Sequence, residues 1–232
     1  MGGQACVLYG AAEFSRDIDL AIDPDSQNLQ ALSRAIEALR ADVIAVPPFA
    51  EKHLARGLAV HFRCHREDVD GLRIDVMTRM RGVDEFSELW GRRTTLDVGE
   101  GEDIDVLSLP DLVAAKKTQR DKDWPMIARL IEASYFSHRD EPNAARVSFW
   151  LAESRTPVLL REVVDRFPDE AQAAAGDREV VAIAIRAADD AEIARALRVE
   201  EEAERAADRA YWEPLMAELR QLRRAARHNP PE

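Results

Sequence analysis

The chain has 232 residues, of which 46% are apolar and 33% charged, and a net charge of −12. That length allows one large domain or two small ones with a sizeable core. The acidity, −7 up to Ser137 and −5 beyond it, excludes a broadly basic nucleic-acid-binding body but leaves room for a local basic site.

No apolar run approaches the roughly 18 residues of a membrane span. No charged segment followed by an apolar stretch opens the chain, so no signal peptide is expected. The two cysteines, Cys6 and Cys64, make no disulfide framework and suit small buried thiols. A cytoplasmic protein without a membrane partner follows as the expectation.

In chain order, residues 3–12 (GQACVLYGAA) predict a short helix of small residues ending at a glycine. Residues 17–23 predict a strand, broken by Pro24 and Asp25. Residues 26–41 have helical periodicity, with Leu29, Leu32, Ile36 and Leu39 on one face. A short strand is expected at 43–46, before Pro47-Pro48. Strands at 58–64 and 72–78, linked by a polar loop ending in glycine, predict an antiparallel hairpin. Residues 94–98 and 104–108 flank Gly99-Glu-Gly101 and predict another. Ser108-Leu-Pro-Asp111 reads as a helix start, and Asp123 with Pro125 opens a further helix through about Ser134.

Beyond Ser137 alanine, arginine and glutamate dominate and no strand is expected. Helices are predicted at 143–153, 157–167, 178–187 and 190–227, the last with Leu197, Ala203, Ala207, Leu215, Leu219 and Leu222 as its apolar material. HNPPE reads as a frayed end. The expected organisation is a mixed α/β domain over 1–136 and a helical region over 137–232.

The stretch DIDLAI places Asp17 and Asp19 on one face of a strand and Ile18, Leu20 and Ile22 on the other. In LRIDVMT the same alternation turns Asp75 away from Leu72, Ile74 and Val76. Two carboxylates on one strand face repel unless a cation offsets them. A hard, oxygen-seeking Mg²⁺ suits them, and three carboxylates would serve one or two such ions. Gly2-Gly3 at a helix start suits the approach of a phosphate. Lysine is otherwise scarce, yet Lys116, Lys117 and Lys122 cluster around Arg120. That island reads either as a phosphate-neutralising site or as a solvated helix end.

Together these pieces resemble the nucleotidyltransferase superfamily, the polymerase-β-like fold, and within it small prokaryotic AbiEii-like and toxin-type members. The resemblance runs through GGQACVLYGAAEFSRDIDLAI, RIDVM and LSLPDLVAAKKTQRDKDWPMIARL, covering roughly residues 1–135. It implies a mixed sheet with flanking helices and Mg²⁺-dependent transfer of a nucleoside monophosphate from a nucleoside triphosphate, such as ATP, to a hydroxyl of RNA, protein or a small molecule. Asp17 and Asp19 would hold two metal ions and Asp75 the catalytic one. Gly2 and Gly3, with Ser15, Arg16, Lys116, Lys117 and Arg120, would bind the nucleotide. A toxin role would imply an antitoxin partner. The family strand preceding Gly-Gly has no counterpart after Met1, so the start is read as late or the sheet as one strand short. The alternative is a catalytically inactive, nucleotidyltransferase-like interaction protein.

Overall fold

The structure is a computed structural model that describes residues 1–186 and 189–228. The end of the helix predicted at 178–187 and most of the frayed HNPPE tail lie outside the described residues. Backbone contacts gather the chain into two compact units. The first holds Met1–Leu8, Ala12–Ala115 and the chain from Ala210 on; the second holds Tyr9–Ala11 and Lys116–Arg209. The cut therefore falls near residue 115, ahead of the composition change at Ser137.

The first unit is built on alternation. Helix α1 (Gly2–Leu8) leads to strand β1 (Asp17–Ala21), helix α2 (Ser26–Ala38) and strand β2 (Asp42–Val43). A single turn, α3 (Glu51–Leu54), precedes the hairpin of β3 (Val60–Arg63) and β4 (Arg73–Met77). These four strands form one mixed sheet in the order β1-β4-β3-β2. β1 runs parallel to β4, and the other pairs are antiparallel.

Ile18, Leu20 and Ile22 of the first strand stretch fall on the same side as Val60, Phe62, Ile74 and Val76, and α2 closes over them with Leu29, Leu32, Ile36 and Leu39. This side is the core. Full removal from water of a side chain such as Val60, Phe62 or Val76 contributes on the order of 2 kcal/mol, and the partly buried ones contribute less. Cys64 packs in this core and Cys6 is buried in α1, both as free thiols. By the same period of two, the other side receives Asp17, Asp19, His61, Arg73 and Asp75.

Caps explain the helix limits. Asp25 accepts a hydrogen bond from the Asn28 amide at the start of α2. Its end comes at Arg40, whose φ of 50° lets the Ala41 amide reach the Ile36 carbonyl. The predicted strand at 43–46 shrinks to Asp42–Val43, with one further bond from Ile44 to His61, because the chain turns into Pro47-Pro48. After β4 come α4 (Phe86–Gly91), then β5 (Thr94–Asp97) and β6 (Asp103–Val106), which pair into a separate two-stranded sheet. Helix α5 (Leu109–Lys116) is capped by Ser108, whose Oγ accepts from the Asp111 amide and donates to its carboxylate.

The second unit is helical: α6 (Asp123–His138), α7 (Ala144–Glu153), α8 (Pro157–Arg166), α9 (Pro168–Ala174), α10 (Glu179–Arg186) and the first half of α11 (Asp190–His228). Its core centres on Tyr135 and Trp150, both fully buried, edge to face at 5.1 Å. Their polar ends are satisfied, the Tyr135 hydroxyl by Glu162 and the Trp150 indole by Ser134. On α11 the buried apolar residues are Ile193 and Leu197. Leu215, Leu219 and Leu222 are half-buried, whereas Ala203 and Ala207 are exposed. α3 and α4, of four and six residues, were not expected because they are too short for a helical period to register; α9, seven residues from Pro168, was not expected either.

Candidate functional site

The polar face of the four-stranded sheet brings the three predicted carboxylates into register. Asp19 and Asp75 are direct partners across the parallel β1–β4 pair, and Asp17 is opposite Arg73. Adjacent strands lie about 4.8 Å apart, so Asp19 and Asp75 are nearest neighbours on one face. Asp17 and Asp19 are half-buried and Asp75 is buried.

Asp75 is already held at both oxygens. Arg73 donates from Nε to Oδ1 at 2.7 Å and from Nη2 to Oδ2 at 2.9 Å. His61 Nδ1 lies 2.8 Å from Oδ1. A carboxylate only accepts, so His61 carries its proton on Nδ1 and donates to Asp75. The Arg73 Nη2, 3.1 Å from that nitrogen, is then a close neighbour rather than a donor to it. Burial pushes the Asp75 carboxyl up, but the hydrogen bonds from His61 and Arg73 outweigh it and hold the group below the usual carboxylate range. Arg73 is held more firmly protonated by its bond to Asp75 against the cost of burial, and the fields of Asp17 and Asp19 add to this.

Gly2 and Gly3 close one corner of the face. Gly2 has φ +67°, and a Cβ there would overlap the Asp19 carboxylate. A Cβ at Gly3 would overlap the Ser15 hydroxyl. The Gly3 amide donates to Asp19 Oδ2 at 3.3 Å, and Ser15 Oγ donates to the Asp17 carbonyl at 3.1 Å. The two glycines and Ser15 are thus packed onto the Asp-x-Asp strand. Arg16 is exposed, its guanidinium 5.9 Å over the Phe14 ring.

The basic island falls in the second unit, where acids engage it. Lys116 is 3.6 Å from Asp123, Arg120 donates to Asp123 at 2.7 Å, and Lys117 donates to Glu153 at 2.7 Å. Thr118 also donates to Asp123. The contacts to Asp123 tie down the start of α6, and Lys117 is held at the end of α7.

Two residues of the face were not singled out from sequence. Arg73 was legible in principle, two positions before Asp75 and therefore on its side of the strand. His61 was not, because only the β3–β4 register pairs it with Asp75.

Three hard oxygen donors on one face suit Mg²⁺. Among the described residues, however, no group of three His, Cys, Asp or Glu side chains is arranged to hold a metal ion as it stands. Arg73 donates to both oxygens of Asp75, and the Gly3 amide to one of Asp19. An ion reaching Asp75 must displace the Arg73 guanidinium, which at 37% exposure has solvent to move into.

Comparison with family models, curated proteins and solved structures finds no match for this chain. Among the described residues no helix is long and apolar enough to cross a membrane.

Proposed function

We propose that the protein is a Mg²⁺-dependent nucleotidyltransferase that moves a nucleoside monophosphate from a nucleoside triphosphate to a hydroxyl on RNA, protein or a small molecule. One observation carries this reading: the register that sets Asp75 beside Asp19, with Asp17 on the same face. The fit of Gly2 and Gly3 against Asp19 and Ser15 supports it, since a side chain at either position would have to push Asp19 or Ser15 aside.

In this reading Asp17, Asp19 and Asp75 would hold the metal ions, whose chemistry would be to offset the triphosphate charge and lower the pKa of the acceptor hydroxyl. Asp75, held below the usual range, is ionised at neutral pH and serves as an anionic ligand. His61 orients it, and Arg73 neutralises it in the structure as it stands. The acceptor oxygen forms its bond to the α-phosphorus as the bond to pyrophosphate breaks, and the hydroxyl proton passes to solvent. The test is labelling of cell RNA and protein from α-³²P nucleoside triphosphates with Mg²⁺. Asp75→Asn, close in shape to the native residue, is expected to reduce labelling to background. Full labelling by that variant rejects the proposal.

The bidentate Arg73–Asp75 pair favours a second reading, a catalytically inactive interaction protein whose site is filled by its own cation. Mn²⁺ titration separates the two: carboxylate-dependent binding rejects the inactive reading. A toxin with an antitoxin partner is a finer form of the first proposal. It predicts growth arrest on expression of the wild-type chain and none with Asp75→Asn.

A further inference from the structure

A cavity of about 600 Å³ opens in the first unit at the end of β1. It begins at Ala21, two residues beyond Asp19 on the same strand face and about 7 Å along it. One wall is aromatic: Phe86 and Trp90, at i and i+4 on α4, stack with centroids 5.7 Å apart at 22°. Trp90 is 47% exposed, which is unusual for a side chain of that size. Arg93 lies 4.1 Å over the Trp90 ring but lines the neighbouring cavity of about 90 Å³, not this one.

The facing wall is α2. Its Gln27 and Arg34 line the cavity with no hydrogen-bond or ion-pair partner among the described residues. An aromatic pair, with Trp90 largely exposed, opposite open amide and guanidinium groups suits a planar heterocycle with hydrogen-bonding edges. Asp23 and Asp25 also line the cavity; their charge repels phosphate and accepts bonds from hydroxyls. The volume lies in the range of small-molecule sites.

We propose that this cleft binds the nucleoside end of the substrate. The base lies against Phe86 and Trp90 with its edge toward Gln27 and Arg34, and the ribose lies between them and the carboxylate face. The direction of the substrate rests on the nucleotidyltransferase reading; the nucleoside chemistry of the cleft rests on its own walls.

The experiment titrates the full chain with adenosine, guanosine, cytidine and uridine, without Mg²⁺, using tryptophan fluorescence and saturation-transfer NMR. At least one nucleoside is expected to bind, and Trp90→Ala to weaken it by about tenfold, the scale of one lost stacking partner. Trp90→Phe is expected to retain most of the affinity. Ala31→Trp, from an exposed position on α2 lining the cleft, fills it without removing a wall and is expected to abolish binding with an unchanged melting temperature. Absence of binding by all four nucleosides at millimolar concentration, or binding unaffected by Ala31→Trp, overturns the inference. Mg²⁺-dependent labelling that persists in Ala31→Trp also overturns it and leaves the transferase reading intact. Nucleoside binding without any labelling sinks that reading and leaves the cleft.

Discussion

The polar sheet face of the first unit and the charged cluster of the second hold partly buried ions under opposite rules. In the second unit Lys117, Arg155 and Arg178 meet Glu153 and Glu200 in a network in which each acid faces at least two cations. Arg178 also donates to the carbonyls of Leu151 and Ser154. Burial lowers its pKa, and Glu200 opposes that shift. In the first unit the Arg73 guanidinium pairs with Asp75 and reaches Asp17 and Asp19 only through its field, and the Asp17 side chain has no hydrogen-bond or ion-pair partner among the described residues. Buried charges that hold helices together come with their partners. An excess of one sign on one face marks a place for something the chain does not itself supply.

This contrast can be broken experimentally. The largest effect is expected in the second unit: Arg178→Ala leaves Glu200 and two carbonyls short of a donor and should cost about 3 kcal/mol in urea unfolding. A loss below about 1 kcal/mol would mean that the network is not structural. On the sheet face, Arg73→Gln removes the resident cation. It should tighten Mn²⁺ binding by about tenfold, near 1.4 kcal/mol, read by calorimetry or electron paramagnetic resonance. Weaker binding would make Arg73 a supporter of the metal site rather than a competitor.

A smaller effect concerns Asp111. Burial raises its carboxyl, but hydrogen bonds from Arg92 and then Ser108 outweigh this and hold it below the usual range. Its contribution to stability is therefore present above the unfolded pKa of about 3.9 and is lost as pH falls through the folded value. The urea midpoint should fall below about pH 4, and less steeply in Asp111→Asn. The smallest effect is expected for Asp17→Asn. It removes a like charge from the crowded face and should leave stability unchanged within about 0.5 kcal/mol, or raise it. A clear loss would show that Asp17 has a structural partner.

Local pattern determined much of this protein. The alternation in DIDLAI and RIDVM divided core from polar face, and the periodicity of 26–41 gave α2 its buried stripe, because strand and helix periods are properties of a few consecutive residues. Tertiary structure alone decided what those faces meet. The register of β1 on β4 set Asp19 beside Asp75, and that of β3 on β4 delivered His61. Packing gave Lys116, Lys117 and Arg120 to acids of the helical unit, and set Trp90 opposite α2 across a cleft. Such pairings depend on how distant segments bury their apolar sides together, a free-energy balance over the whole chain that no short window of residues contains.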